Sequence, residues 1–377
     1  MSITDAAPVP RNQSRPYARI GVVGAGAWGT ALAAVAATAG RKVCLYSRDP
    51  QMVEAINSHN RNIKYLPDVP LPPNLRATHD LSQAVGPADA VLMVVPSQAV
   101  RTVAAEVAQV IDPKIPVAVC TKGIEPGTGL LMTGVAEEEF AGNPLGTISG
   151  PTFARETALG HPTAATVAFE FSYNDRMDPH DSPAARIAHS MSTESFRTYI
   201  SDDLVGVEIG GAVKNVIAIA CGMMTGAGFA ENTRAALITR GMDEMKNLAE
   251  ALGGRRETVT GLSGAGDLTL TCSSTTSRNM SLGVQLGKGT PRAACFGGKP
   301  VVVEGEANST SIAGLAQRVG VSMPICETVD RILAGRTDLR QGFLDLWTRP
   351  IEGEPRALDI SLAHPLERDA PKAIGLD

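Results

Sequence analysis

The stretch Ala18-Arg-Ile-Gly-Val-Val-Gly-Ala-Gly-Ala-Trp-Gly-Thr-Ala-Leu-Ala33 decides the fold of this chain. It opens with a run of β-branched residues that is typical of a buried parallel strand. Gly24, Gly26 and Gly29 then form G-x-G-x-x-G, an alanine-rich helix follows over residues 30–38, and a second apolar run begins at Val43. Strand, glycine turn, helix and strand in this order are the context that a dinucleotide-binding fingerprint requires.

Each glycine of this fingerprint has a distinct expected role. Gly24 allows the tight turn, Gly26 lets the backbone approach a pyrophosphate, and Gly29 lets the helix pack closely on the strand. The helix N-terminus offers free N–H groups and a positive dipole to the phosphates. The alternative interpretation is a purely structural glycine turn.

The end of the second strand bears on the choice of cofactor. Selectivity for NAD usually places an acidic side chain there, but this strand ends in Ser47-Arg48. A hydroxyl and a guanidinium suit a ribose 2′-phosphate, so the sequence favours NADP, with NAD also possible. Alternatively, Arg48 only stacks on the adenine or pairs with Asp49.

Length and composition limit the function classes. A chain of 377 residues is expected to form two domains, and a net charge of -5 without a basic block argues against nucleic acid and anionic membranes as partners. The six cysteines are far apart, which indicates a reducing compartment. The N-terminus has no apolar signal core, and no apolar run is expected to span a membrane. We therefore expect a cytoplasmic protein.

Two kinds of pattern divide the chain. Short buried strands alternate with helices up to residue 204, which indicates a doubly wound α/β domain over 18–204, and helical periodicity dominates 205–348. Residues 1–17 are expected to be a disordered lead-in, and the proline-containing residues 349–377 a largely unordered tail.

A single lysine in a strongly apolar helix is the first candidate for chemistry. Lys214 lies one turn after Gly210 in Val207–Ala220, so a small residue leaves space beside its side chain. Burial lowers the pKa of a lysine, and a neutral amine can act as a general base. The alternative is a lysine whose head reaches water past its apolar stem.

A second constellation follows in the same half of the chain. Glycines around Asp267 predict a tight loop that presents a carboxylate, and Ser277-Arg278-Asn279 offers donors for a phosphate or carboxylate. The alternative is a surface loop followed by a helix cap, because Ser277 is a suitable N-cap residue.

Taken together, these stretches resemble the bacterial NAD(P)-dependent glycerol-3-phosphate dehydrogenases. The resemblance runs from about Arg19 to Thr348 in the order of the family. The matching motifs are Gly24–Ala33, Tyr65–Pro67, Val95–Ser97, Lys122–Glu125, Ser149–Ala154, Gly210–Ile219, Ala235–Gly241, Gly264–Asp267, Ser277–Asn279 and Val302–Gly305.

The resemblance implies a Rossmann-type domain, an all-helical second domain, and interconversion of dihydroxyacetone phosphate and sn-glycerol 3-phosphate for glycerophospholipid synthesis. It implies an oxidoreductase acting on CH–OH donors and, by the habit of the family, a homodimer. No metal is expected, because the six histidines are scattered singly and form no cluster. Lys214 corresponds to the general acid/base, Lys122 to a lysine that touches both cofactor and substrate, and Asp267 would anchor or tune the Lys214 amine. The substrate-binding positions are Lys122, Gly150, Thr152, Lys214, Asp267, Ser277, Arg278 and Asn279. The cofactor positions are Gly24, Gly26, Ala27, Trp28, Gly29, Arg48, Lys122, Ala154, Arg278, Val302 and Glu304.

Two other functions compete with this interpretation. A β-hydroxyacid dehydrogenase also joins a Rossmann domain to a helical domain bearing a lysine, although Ser277–Asn279 and Gly264–Asp267 point away from it. A non-catalytic dinucleotide sensor would bind the cofactor without turnover and would leave Lys214 without a purpose.

Overall fold

The apolar runs of the first half of the chain assemble into one eight-stranded sheet. The computed structural model describes residues 14–354, 358 and 360–365. The strand order is β3-β2-β1-β4-β5-β6-β7-β8, and every neighbouring pair is parallel except β6 and β7. The strands are β1 (Arg19–Val23), β2 (Lys42–Tyr46), β3 (Leu75–Thr78), β4 (Ala90–Met93), β5 (Val117–Val119), β6 (Leu145–Ser149), β7 (Thr163–Phe169) and β8 (Phe196–Ser201).

Helices connect these strands, and most of them bury apolar side chains against the sheet, whereas α7 has no buried residue. They are α1 (Ala27–Thr38), α2 (Pro50–His59), α3 (Leu81–Val85), α4 (Val100–Ala108), α5 (Met132–Glu137), α6 (Ala154–Ala158), α7 (Tyr173–Met177) and α8 (Pro183–Met191). The core joins Leu32 of α1 to Val22 and Leu45 of the central strands, and all three are fully buried. Because β1, β4, β5 and β6 run parallel, their carboxyl ends lie at one edge of the sheet.

From Leu204 to Trp347 the chain is mostly helical. The helices of this part are α9 (Leu204–Gly226), α10 (Glu231–Ala251), α11 (Arg256–Val259), α12 (Asp267–Ser273), α13 (Arg278–Gly287), α14 (Glu304–Val319), α15 (Pro324–Leu333) and α16 (Leu339–Trp347). The predicted fold class, a Rossmann-type sheet followed by a helical domain, is thereby confirmed.

The chain separates into two units at positions close to the predicted boundary. The first unit contains the residues up to Thr121 together with Met132–Val207, and the second contains Lys122–Leu131 and the residues from Glu208 onward. The predicted ranges 18–204 and 205–348 assign Lys122–Leu131 to the first domain. In the structure this segment makes its contacts within the helical unit, a long-range association that no local pattern encodes.

Helix α9 departs from the expectation that no apolar run could span a membrane. It has 23 residues, and its most apolar window has a mean hydropathy of 1.7, so its length and composition would suffice. However, 94% of its most apolar window is buried inside the protein. Its apolarity on all sides is that of a central core helix.

The chain begins to pack earlier than the predicted start at residue 18. Tyr17 is 6% exposed, its N–H donates to Ser190 Oγ over 2.7 Å, and the Arg186 guanidinium lies 4.0 Å from its ring centre. Residues 14–17 therefore depart from the expected disordered lead-in, because an aromatic ring and a cation hold them on α8. Residues 1–13 of that lead-in lie outside the described residues.

The predicted unordered tail contains local structure. Two short strands, β9 (Ile351–Glu352) and β10 (Ser361–Leu362), pair antiparallel, and Arg240 of α10 donates to Glu352 Oε2 over 3.3 Å. The hairpin is a departure from the expectation, and the ion pair ties it to α10. Residues 355–357, 359 and 366–377 of the tail lie outside the described residues.

A buried carboxyl joins two helices in the core of the second unit. Glu244 of α10 is 1% exposed, and its two oxygens accept from Ile325 N and Cys326 N over 2.6 and 3.2 Å, at the start of α15. Burial raises the pKa of Glu244 to about 7, although the two backbone N–H donors oppose this. The carboxyl therefore binds a proton more tightly in the folded chain than in the unfolded chain.

We expect the free energy of unfolding to fall as the pH rises through the folded pKa of Glu244. Between about pH 5.5 and 8 the contribution of Glu244 to the free energy of unfolding should decrease by about 2 kcal/mol, because the folded-state pKa of about 7 lies above the unfolded value of 4.5. Denaturant unfolding of the native chain and of Glu244→Gln across this range measures it. The difference in the free energy of unfolding between the two chains should change by this amount across the range. A difference that does not depend on pH would contradict the prediction.

Candidate functional site

The glycine turn between β1 and α1 has the geometry that the fingerprint predicts at two positions. Gly24 has a φ of +114°, and a Cβ added there would lie 2.2 Å from Val94 O. A Cβ on Gly29 would lie 1.9 Å from Gly24 O, so only glycine lets α1 start this close to the turn. These two residues close the turn and pack the helix on the strand.

The surface above this turn is open and offers donors. A Cβ on Gly26 would meet nothing within 4 Å, and Gly26 caps α1 without a side-chain hydrogen bond. Ala27 and Trp28 form the first turn and are half-buried. Among the described residues, Trp28 Nε1 is one of the few buried side-chain nitrogens or oxygens without a hydrogen-bond partner. An open cradle at a helix N-terminus fits a dinucleotide pyrophosphate.

The end of β2 leaves a guanidinium exposed. Ser47 is buried and its Oγ accepts from Asp49 N over 3.2 Å, while Arg48 is exposed. The Asp49 carboxylate caps α2 by accepting from Gln51 N over 3.0 Å. Asp49 thus has a local structural role, and the Arg48 side chain extends from the strand end where a ribose would lie in a fold of this type.

Two lysines meet on one carboxylate in the second unit. Lys214 Nζ donates to Asp267 Oδ1 over 2.8 Å, and Lys122 Nζ donates to Asp267 Oδ2 over 2.5 Å. The side chains of Lys214 and Asp267 are 9% and 3% exposed, and that of Lys122 is 17% exposed. The Lys214 ammonium therefore does not reach water past its stem, and the three side chains that sequence analysis singled out for catalysis form one cluster.

Burial and mutual charge set the protonation of this cluster. Burial lowers the pKa of Lys214 below its usual range and Lys122 reinforces this, while Asp267 opposes it. Burial alone would raise the pKa of Asp267, but Lys122 and Lys214 together hold the pKa of this carboxyl below its usual value. The arrangement provides a buried amine that is easier to deprotonate than an ordinary lysine, beside a carboxylate that stays ionised.

Thr271 completes the cluster and was missed by the sequence analysis. Lys214 Nζ donates to Thr271 Oγ1 over 2.9 Å, and the same hydroxyl donates to Asp267 Oδ1 over 3.2 Å. Thr271 is 2% exposed and stands one turn after Asp267 on α12. The four-residue spacing from Asp267 is the signal that could have identified it.

Small residues bring the elements of this cluster close together. A Cβ on Gly210 of α9 would lie 2.8 Å from Ser263 O, and one on Gly264 would lie 1.9 Å from Val259 O. Residues Leu262–Gly266 form a π-helical turn that leads directly into α12. The glycines that predicted a tight loop therefore let the turn before Asp267 lie against α9. The buried Ser263 Oγ on this turn has no partner among the described residues.

The three side chains of the Ser277-Arg278-Asn279 motif make different contacts. Ser277 caps α13 by accepting from Met280 N over 3.3 Å, as the cap interpretation predicted. Asn279 is 7% exposed, donates to Asn215 Oδ1 and accepts from Gly305 N, each over 2.9 Å. Arg278 is exposed and donates to Val302 O over 2.8 Å. Of the three side chains, Arg278 presents the accessible charge.

A buried amide chain links this motif to the residue after Lys214. Asn215 is 1% exposed and donates to Glu304 Oε2 over 3.0 Å, at the start of α14. Asn279, Asn215 and Glu304 thus form a continuous chain of hydrogen bonds. Asn279 and Glu304, two of the predicted ligand contacts, are therefore connected through Asn215.

Three further predicted residues follow β6 in the first unit. Gly150 is buried, and a Cβ there would lie 2.9 Å from Ala164 O on β7. Thr152 Oγ1 donates to Gly150 O over 3.2 Å, and Ala154 begins α6. Ser149 Oγ, just before Gly150, is buried without a partner among the described residues. These residues therefore lie at the carboxyl end of a sheet strand, the usual ligand edge of such folds.

The segment that carries Lys122 is held on the helical unit. Arg318 of α14 donates to Gly127 O and Thr128 O over 3.3 and 3.2 Å. Gly129 has a φ of +74°, and a Cβ there would lie 1.7 Å from Arg318 Nη2. Together with the Lys122–Asp267 contact, these bonds explain why Lys122–Leu131 groups with the helices.

Comparisons with known proteins agree with this geometry. The family described as NAD-dependent glycerol-3-phosphate dehydrogenase matches with its N-terminal part over residues 19–174 and its C-terminal part over residues 203–343. Glycerol-3-phosphate dehydrogenase [NAD(P)+] of Parvibaculum lavamentivorans is 45% identical over 338 residues, covering 90% of this chain and 98% of the relative. The enzyme of the same name from Caulobacter vibrioides is 44% identical, covering 90% of this chain and 99% of the relative.

A solved structure gives the same result. The crystal structure of glycerol-3-phosphate dehydrogenase from Coxiella burnetii superposes with a TM-score of 0.79 at 38% identity, covering 88% of this chain and 99% of that chain. Both halves of the chain, in their natural order, thus match one family. The chain belongs to the NAD-dependent glycerol-3-phosphate dehydrogenase family.

Proposed function

We propose that the chain catalyses reversible hydride transfer between NAD(P)H and dihydroxyacetone phosphate, which gives sn-glycerol 3-phosphate for glycerophospholipid synthesis. The observation that carries the proposal is the buried Lys122–Asp267–Lys214 cluster in a chain of this family. Its chemistry matches the reaction, because reduction of a ketone needs a proton donor and oxidation of a secondary alcohol needs a base.

Lys214 is the general acid/base in this proposal. As an ammonium it polarises the carbonyl and protonates the forming alkoxide, and as a neutral amine it accepts the hydroxyl proton in the reverse direction. Burial lowers the pKa of Lys214, so its neutral form is reached more easily than that of an ordinary lysine. Asp267 and Thr271 accept hydrogen bonds from the Lys214 amine over 2.8 and 2.9 Å. These two bonds fix the orientation of the amine, so its remaining N–H group has a defined direction.

The glycine turn would hold the dinucleotide, whose nicotinamide supplies or accepts the hydride when bound. Gly24, Gly26 and Gly29 shape the cradle, and the first turn of α1 at Ala27 and Trp28 offers N–H donors to the pyrophosphate. The other residues proposed to contact the cofactor are Arg48, Lys122, Ala154, Arg278, Val302 and Glu304.

The substrate phosphate is assigned to the Ser277–Asn279 motif. Arg278 supplies the charged fork for a phosphate, while Ser277 and Asn279 hold the start of α13 in place. Fixing the phosphate fixes the carbonyl relative to the proton donor. Lys122, Gly150 and Thr152 are proposed to complete the substrate contacts.

Arg48 is expected to set the preference between the two nicotinamide cofactors. Because the exposed guanidinium can pair with a 2′-phosphate, Arg48→Ala should raise the KM for NADPH by about 10-fold and change the KM for NADH by less than about 2-fold. Steady-state kinetics with both cofactors measure this. The matched control is Arg76→Ala on the neighbouring β3, and equal KM changes for both cofactors in Arg48→Ala would contradict the assignment.

We further propose that the enzyme works in the cytoplasm as a homodimer. The apolar helix α9 is buried in the protein core, so it is not available to insert into a membrane. The homodimer follows the habit of the family, and sedimentation of the purified chain tests it.

Substrate turnover tests the proposed function. The native chain should oxidise NADPH or NADH in the presence of dihydroxyacetone phosphate. It should remain slow with 3-oxo acids, which are the oxidised partners of β-hydroxy acids. Faster turnover of the acids would indicate the β-hydroxyacid dehydrogenase alternative. Cofactor binding without turnover of any substrate would overturn the proposal and favour a dinucleotide sensor.

A further inference from the structure

An irregular segment between α2 and β3 reaches the glycine turn through one buried amide. Asn62 is 0% exposed, and its Nδ2 donates to Ala25 O over 2.9 Å and to Thr30 Oγ1 over 2.7 Å. Its Oδ1 accepts from Tyr65 N over 2.9 Å. Both amide hydrogens and the carbonyl oxygen are therefore engaged, so the side chain has a single orientation.

The two acceptors of Asn62 lie in the two parts of the cofactor cradle. Ala25 stands between Gly24 and Gly26 in the turn, and Thr30 lies in the first turns of α1. The amide thus joins the turn to the helix across the point where the backbone changes direction. Backbone donors must be held in place before a ligand arrives if they are to bind it without a cost of ordering.

The same segment continues to a second functional stretch of the first unit. Arg155 of α6 donates through Nε to Asp68 Oδ2 over 2.8 Å, and Arg155 directly follows Ala154. This ion pair is exposed, with side chains 59% and 48% accessible, and contributes little by itself. Leu66, Val69 and Leu71 of the segment are buried as well, and Asn62 is the residue whose side chain hydrogen-bonds the turn and the start of α1.

We infer that Asn62 is a positioning residue that holds the pyrophosphate-binding turn in its ligand-ready form. The inference rests on the proposed binding of NAD(P) at this turn. Asn62 binds no ligand atom itself, and it acts through Ala25 and Thr30. Loss of the Asn62 side chain should weaken the binding of ligands that carry the pyrophosphate and leave the binding of ligands that lack it unchanged.

Binding measurements on Asn62→Ala test the inference without relying on catalysis. Calorimetry would give the Kd for NADPH, for ADP-ribose, and for adenosine 2′-phosphate, which lacks the pyrophosphate. We expect the Kd for NADPH and for ADP-ribose to rise about 10-fold, as expected for loss of buried hydrogen bonds, and the Kd for adenosine 2′-phosphate to change less than about 2-fold. At saturating cofactor, kcat should stay within about 3-fold of the native value.

Asn143→Ala is the matched control. Asn143 is 8% exposed in the same unit, and its Nδ2 also donates to two carbonyls, Asp112 O and Ile115 O, each over 2.9 Å. Its replacement should lower the Tm and leave all three Kd values unchanged. A folded Asn62→Ala that behaves in the same way would overturn the inference, because Asn62 would then be only a core amide.

If Asn62→Ala does not fold, Thr30→Val provides the test. It removes one of the Asn62 bonds and retains the bond to Ala25, so the Kd for NADPH and ADP-ribose should rise about 3-fold. Unchanged values would contradict the inference. A native chain that binds neither NADPH nor ADP-ribose contradicts the proposed function itself, whereas native binding with unaffected variants contradicts only the role of Asn62.

Discussion

Replacement of Lys214 by alanine is expected to lower kcat for reduction of dihydroxyacetone phosphate by at least ~100-fold, the scale of lost acid–base catalysis. The substitution removes the buried amine whose proton Asp267 and Thr271 hold in place. Cofactor binding should persist, because the glycine turn belongs to the other unit of the chain. Initial rates of NADPH oxidation together with the Kd for NADPH measure both effects.

Lys246→Ala provides the control for this prediction. Lys246 is a half-buried lysine of α10, so its loss removes a similar side chain from a helix of the same unit. Its variant should retain nearly native kcat. Near-native activity of Lys214→Ala would move the proton-transfer role to another residue, with Lys122 as the next to replace.

Asp267→Asn is expected to have the second large effect, a loss of about 100-fold or more in kcat/KM. The carboxylate is the shared partner of both lysines, so its neutralisation leaves two ammonium groups facing each other in a buried site. Asp267 raises the pKa of Lys214, and without it that pKa falls further. The rising limb of the pH profile for glycerol 3-phosphate oxidation should therefore move to lower pH.

The pH profile separates this electrostatic role from a merely structural one. Asp243→Asn is the control, because Asp243 pairs with Arg240 on α10 and is not part of the Lys122–Asp267–Lys214 cluster. Its profile should coincide with that of the native chain. An Asp267→Asn profile with an unmoved rising limb would show that the carboxylate does not tune the amine.

The fold was predictable because its signals are local. The β-branched run at residues 20–23, the glycine turn and the alanine-rich helix are contiguous, and each periodicity identifies its element. Helix α1 begins at Ala27, before the predicted Thr30, because Gly26 serves as its cap. Strand β3 was not predicted, because it has only four residues and one β-branched side chain, Thr78.

The candidate site was predictable residue by residue and less so as an arrangement. Lys214 and Asp267 stand out singly, as a lone cation in an apolar helix and a carboxylate among glycines. Their pairing crosses 53 positions, and the pairing of Lys122 with Asp267 crosses 145. No local pattern encodes such distances. Asn62 escaped notice because a polar residue in an irregular segment is normally a surface residue.

Restoration of the Lys214→Ala variant by ethylamine tests the central claim most directly. If a buried primary amine transfers the proton, a small amine that enters the vacated space should supply the same group. We expect glycerol 3-phosphate oxidation by the variant to increase with the concentration of free-base ethylamine, while the native chain is unaffected. Oxidation at the native rate without amine, or a rate that ethylamine does not change, would contradict the assignment of Lys214 as the general acid/base.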